Sequence, residues 1–160
     1  MNFVKSLFSY IIIVLVVVLI RTFLFTPAIV NGSSMEKTLY DGELVIVNKI
    51  KLLSGVDRFD IVISRIDDEL LIKRVIGLPN EIIEYKNNCL FINGELVEMP
   101  IEFEETDDFY YETKDDEYFL MGDNRDISKD SRIIGGFFRE DIIGIVDLVI
   151  FPLDKIGFVK

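Results

Sequence analysis

Residues 70–76 read LLIKRVI, and they set two cations side by side in an apolar, β-branched run. In a strand, successive side chains point to opposite faces. Lys73 then shares a face with Leu71 and Val75, while Arg74 shares the other with Ile72 and Ile76. Arginine keeps its proton in any protein environment, so Arg74 needs a carboxylate partner. Lysine has a second option, which is to become neutral when removed from water.

Working outward, the same short β-branched pattern recurs on both sides. It predicts strands at 43–50, 59–64, 81–86, 89–92, 95–97, 117–121 and 142–151 as well as at 70–76. Asn93-Gly94 between CLFI and ELVE is a type I′ hairpin signal. YDGE at 40–43 and LPNE at 78–81 read as further turns. Beyond residue 40 there is no amphipathic segment of helix length, so the domain is expected to be mainly β. Residues 98–117 hold ten acids and one lysine. Like charges at that density resist burial, which predicts a solvated loop. The single cysteine, Cys89 in NNCLFING, reads as a small buried apolar residue. It excludes an internal disulfide, and the chain holds no Cys/His cluster for a metal.

The amino-terminal end is of another kind. Leu7 to Phe25 is a run of 19 residues with one charge, Arg21. As a helix it is about 28 Å long, close to the thickness of a bilayer's hydrocarbon core. A removable leader would have an apolar core of about 7–15 residues, which Tyr10 to Ile20 fits, followed by a small-x-small cleavage site. RTFLFTPAIV supplies no Ala-x-Ala, and a retained membrane anchor over 1–28 is the favoured reading, with a β-rich domain over 29–160. All 28 acids lie in that domain against 15 bases, a formal charge of −13. That sign argues against nucleic acid as a partner, since phosphate binding needs a basic surface, and against adhesion to anionic lipid.

NGSSMEKTL at 31–39 places two serines just beyond the apolar segment, in a chain with no histidine. A serine nucleophile would need another base. With an ordinary pKa, lysine is neutral in roughly one molecule in 2,500 at pH 7; lowered to about 8, in roughly one in eleven. A neutral amine can take a serine proton, and serine–lysine pairs are known variants of triad chemistry. On the strand pattern alone, Lys73 reads more readily as a structural lysine whose ammonium reaches the sheet edge or pairs with a carboxylate.

Three stretches carry a resemblance: GSSMEKTLYDGELVIVNK (32–49), FDIVIS with LIKRVIGLPNE (59–81), and MGDNRDISKDSR (121–132), in this order after one membrane segment. Together they resemble the type I signal peptidases, membrane-bound serine endopeptidases that remove signal peptides from exported proteins. The resemblance implies a β-sheet catalytic domain of the kind shared with self-cleaving repressors, held on the outer, extracytoplasmic face of the cell membrane. It implies Ser34 as nucleophile, Lys73 as general base and Ser128 as the residue whose hydroxyl orients the lysine. Arg74, Asp123, Arg125, Asp130, Ser131 and Arg132 match the supporting motif, with ion pairs expected between Asp123 and Arg74 and between Asp130 and Arg132. The chemistry requires no metal or cofactor. Specificity in the family is for small residues at the −1 and −3 positions, and Val30 and Ile72 are expected to wall those pockets. The partners implied are the signal peptide and the bilayer.

The chain departs from the family at three places. Gly32 stands where some members have a serine whose hydroxyl helps the oxyanion hole. Ile127 replaces the usual asparagine, and the usual GLPGD ends in Asn80-Glu81. Two other readings are an enzyme of the wider self-processing Ser/Lys clan and a catalytically inactive membrane-anchored β module acting as a scaffold. The first would carry a DNA-binding helix-turn-helix in place of the apolar segment.

Overall fold

A computed structural model describes residues 2–159; Met1 and Lys160, the outermost residues of the expected anchor and domain, lie outside it. Helix α1 (Asn2–Phe23) contains an 18-residue stretch, Ser6–Phe23, long and apolar enough to cross a membrane, with none of it buried in the domain. Its apolar residues surround the whole circumference, which suits lipid rather than a protein core.

The chain turns into the sheet within one residue of the helix. Strand β1 (Phe25–Ile29) pairs antiparallel with β2 (Leu44–Asn48), so the sheet begins inside the 1–28 segment expected as anchor. Pro27 identifies β1 as a rim strand, because proline has no N–H to give to a second neighbour. A six-residue helix α2 (Lys49–Ser54) follows, capped by the Asn48 side chain accepting from Lys51 N. Then come β3 (Ile61–Ile66), β4 (Glu69–Gly77), β5 (Ile82–Lys86), β6 (Cys89–Ile92), β7 (Glu95–Val97), β8 (Phe109–Glu112) and β9 (Glu117–Met121). The chain ends with helix α3 (Ser131–Ile134) and strands β10 (Phe137–Phe138), β11 (Ile142–Phe151) and β12 (Gly157–Phe158). Fold class is mainly β, in two antiparallel sheets. The larger runs β1-β2-β11-β3-β4-β9-β10, with β12 on β11; the smaller runs β7-β6-β5-β8.

Strand β4 is central in the larger sheet, with β3 and β9 on its two sides. Its side chains divide as the alternation requires: Leu71 and Val75 pack into one core cluster, Ile72 and Ile76 into two others. Three sequence expectations are corrected. The acidic 98–117 segment is not wholly a solvated loop, because β8 pairs with β5 and its residues Phe109 and Tyr111 pack on the core of the smaller sheet. Phe103 is also buried. Cys89 is exposed, not buried, because the register of β6 sends Leu90 and Ile92 inward. The short helices α2 and α3, too brief to show amphipathic periodicity, were not expected.

Candidate active site

The turn that carries Ser34 hangs between β1 and β2. Val30 N donates to Glu43 O at 2.8 Å and Gly42 N to Val30 O at 2.9 Å, so the YDGE turn clamps the chain just ahead of Ser34. Met35 and Leu39 are buried in the core between the strands and anchor the turn beyond it. This leaves Ser34 half-buried at the surface of the sheet. Lys73 comes from β4, opposite Val62 of β3 in the ladder.

Those two elements meet at Ser34 and Lys73. Lys73 Nζ and Ser34 Oγ are hydrogen-bonded at 2.7 Å. Lys73 Nζ also donates to its neighbour's carbonyl, Ile72 O, at 3.0 Å. The residue is 2% exposed. Burial pushes its ammonium down from the ordinary lysine range, opposed by the Asp130 and Asp123 carboxylates, and the net direction is down. A neutral amine so placed keeps an N–H for Ile72 O and directs its lone pair at the serine hydroxyl.

Arg74, the other strand cation, is fully buried and has the carboxylate its burial requires. Its Nε and Nη2 reach Asp123 Oδ1 and Oδ2 at 2.9 and 2.7 Å. Nη1 donates to Phe59 O at 3.0 Å and Nη2 to Thr38 Oγ1 at 3.2 Å. Thr38 in turn donates to Asp123, so a threonine four residues after Ser34 ties the Ser34 turn to the 121–132 loop. Asn124 N donates to Ser34 O at 3.1 Å and adds a second tie. Sequence reasoning gave Thr38 no role, although it lies inside the quoted motif.

Asp130 is the hub of that loop. It caps α3, accepts from Gly122 N at 2.9 Å and pairs with Arg132 Nε and Nη2, both at 2.9 Å. Arg132 also donates to Arg125 O at 2.7 Å. Arg125, 3% exposed, donates to Gly122 O and lies 4.0 Å over the Phe103 ring, joining the acidic segment to the loop. Ser131 Oγ accepts from Leu120 N. The expected Ser128–Lys73 hydrogen bond is not among those the described residues make. Lys73 Nζ is engaged by Ser34 and Ile72, and Ser128 Oγ is buried without a partner. It packs instead against Gly122, where a built Cβ would come within 2.2 Å of Ser128 Oγ and 2.5 Å of Ser34 O. Of the departures, Ile127 is exposed, Asn80 holds a positive φ of 61° that asparagine tolerates, and Glu81 pairs with Arg58.

Beside the dyad lies a cavity of about 120 Å³, lined by Val30, Met35, Ile63, Leu71 and Ile72 together with Ser34 and Lys73. A wider apolar depression of about 460 Å³ adjoins it and shares Ala28, Ile29, Ile63 and Leu70. Among the described residues no group of His, Cys, Asp and Glu side chains is arranged to hold a metal.

Comparison with known proteins agrees in sequence and in shape. The family profile described as signal peptidase, peptidase S26, matches residues 2–151. Signal peptidase I of Bacillus amyloliquefaciens is 42% identical, with 95% of this chain aligned to 90% of that one. Signal peptidase I S of Bacillus subtilis (strain 168) is 40% identical over 92% of this chain and 88% of its own. The crystal structure of a signal peptidase I from Enterococcus faecalis V583 superposes with a TM-score of 0.51 at 30% identity, covering 57% of this chain and 96% of that one. The chain belongs to the signal peptidase I family of serine endopeptidases, peptidase S26.

Proposed function

We propose that this protein removes signal peptides from exported preproteins by acyl transfer through a Ser34/Lys73 dyad. The observation that carries the reading is the 2.7 Å contact between a serine hydroxyl and a buried lysine whose charge is disfavoured. Ser34 Oγ attacks the scissile carbonyl while neutral Lys73 takes its proton. The carbonyl π pair moves to oxygen, and the Ser34 N–H, which donates to no described residue, faces the oxyanion. Collapse expels the amine of the mature chain, which takes the proton back from Lys73 and leaves the signal peptide as an ester on Ser34. Lys73 then accepts a proton from water, the hydroxide adds to the ester, and Ser34 leaves with that proton restored.

Cleavage after small residues is supported by the cavity beside the dyad, about 120 Å³ walled by branched side chains. Val30 and Ile72 are the walls nearest the motifs and set the −1 and −3 preference. Arg74, Asp123, Arg125, Asp130 and Arg132 support the loop behind the dyad, and Ser128 orients the lysine once substrate is bound. The apolar helix anchors the domain in the cell membrane, with the domain on the extracytoplasmic side, where a signal peptide presents its cleavage site.

The test is cleavage of a preprotein by the purified full-length protein. Ser34→Ala and Lys73→Ala abolish it, and Ser33→Ala leaves most of it. Wild-type rates in Ser34→Ala would dispose of the assignment, and selective loss in Ser33→Ala would move the nucleophile by one residue.

A further inference from the structure

The main chain that carries Ser34 is fastened mostly to other main chain. Val30 is held on both sides by the 42–43 turn; beyond the nucleophile, Glu36 N donates to Ser33 O, Leu39 N to Met35 O and Asn124 N to Ser34 O. Between these ties lies one residue held differently. Gly32 takes φ +87°, a conformation that L side chains avoid, and its N–H donates to a side chain, Asp41 Oδ1, at 2.7 Å. A Cβ built on Gly32 meets nothing within 4 Å, so the backbone angle and not crowding is what calls for glycine there. Asp41 is exposed and makes no ion pair among the described residues, and this bond is the one its carboxylate makes. It is short and charge-assisted, which places it among the stronger hydrogen bonds. The Gly32 N–H is thereby committed to Asp41 and is not free to donate to an oxyanion.

We propose that Asp41 is a positioning residue for the acyl-transfer step. Its carboxylate fixes the turn two residues ahead of the nucleophile and so aims the Ser34 N–H at the site where negative charge develops. The proposal rests on Ser34 being the nucleophile. Asp41 touches neither substrate nor the dyad, and its effect belongs to the transition state more than to binding.

The experiment uses the full-length protein in vesicles with a preprotein, comparing Asp41→Ala and Asp41→Asn with wild type and with Ser34→Ala. Asp41→Ala is expected to lower kcat about tenfold with KM changed less than about twofold. Asp41→Asn keeps an acceptor in the same place and recovers most of the loss. A peptide aldehyde, to whose carbonyl carbon the serine adds to form a tetrahedral hemiacetal with its oxygen at the oxyanion position, loses affinity in Asp41→Ala in step with kcat. A matching uncleavable peptide does not. Wild-type kcat in Asp41→Ala together with an inactive Ser34→Ala would overturn this proposal alone. Equal weakening of aldehyde and uncleavable peptide would also overturn it, since that is loss of binding. Cleavage by Ser34→Ala would overturn the nucleophile assignment and this proposal with it.

Discussion

Burying the Lys73 amine beside Asp123 and Asp130 sets two tendencies against each other. Desolvation disfavours the ammonium, the carboxylates favour it, and desolvation is the larger. On the proposed mechanism the neutral amine is the reactive form, so kcat/KM should rise with pH and level off above the lowered pKa, falling about tenfold per unit on the acid side. The same shift costs stability. With the folded pKa below the unfolded one, the unfolded chain binds more protons in the interval between them, so stability rises with pH across it and the full penalty applies below. Lys73→Met should therefore raise Tm at neutral pH while abolishing cleavage; a lower Tm would mean that the amine's hydrogen bonds outweigh its desolvation. Ser128→Ala separates the roles of its residue in a similar way. A buried hydroxyl with no partner adds nothing to stability, so the variant should melt no lower than wild type, yet lose kcat if substrate brings that hydroxyl to the lysine. The LLIKRVI stretch was legible at this scale because alternation alone puts Lys73 and Arg74 on opposite faces. The position of Ser128 was not, because a side chain's rotamer and nearest partner depend on the packing around Gly122, which leaves no trace in the sequence.

Strand β4 and the 121–132 loop are joined through one buried ion pair, Arg74 with Asp123, whose side chains are 0% and 1% exposed. Removing one member strands the other charge. Asp123→Ala should cost about 3–5 kcal/mol in urea unfolding, whereas replacing both partners by apolar residues of similar size should cost much less. Because Thr38 bonds to the same carboxylate, the single variant should also depress kcat, and the pair of measurements distinguishes a slack nucleophile turn from a protein that has merely melted. Strand β8 explains why the acidic segment misled. Charge density argued for solvation, but only four residues need to pair, and the i, i+2 residues Phe109 and Tyr111 face the core while Tyr110 and Glu112 stay outside. Ten acids in twenty residues hid a two-residue apolar face. Strand β1 was hidden for the reverse reason: it follows so apolar a helix that no change of composition marks the boundary, and Pro27 was its one sequence marker. The hairpin at Asn93-Gly94 was legible because a type I′ turn needs two positive φ angles, which these residues take at 52° and 84°.

At the scale of the molecule, the helix and the catalytic sheet are coupled without a linker. Leu24 alone separates α1 from β1; Lys49 N donates to Leu24 O, and Lys49 Nζ donates to Thr22 O in the last turn of the helix. Thr26 Oγ1 reaches Arg21 O. Strand β1 spans about 16 Å and ends just before the Ser34 turn, so only one short strand separates the end of the helix from Ser34. For a preprotein held by its own apolar segment, sharing the bilayer replaces a three-dimensional search by confinement to a surface. The domain beyond residue 30 carries −13, so anionic lipid repels it and the helix alone supplies the confinement. A chain lacking residues 1–24 should then cleave a short soluble peptide with the kcat/KM of the full protein, but cleave a preprotein embedded in anionic vesicles at least about tenfold more slowly. Raising the salt concentration should recover part of that rate by screening the repulsion, and should leave the full-length protein nearly unaffected. Equal rates on embedded preprotein with and without the helix would show that the sheet finds its substrate unaided, and that the rigid junction at Leu24 serves only to attach the domain.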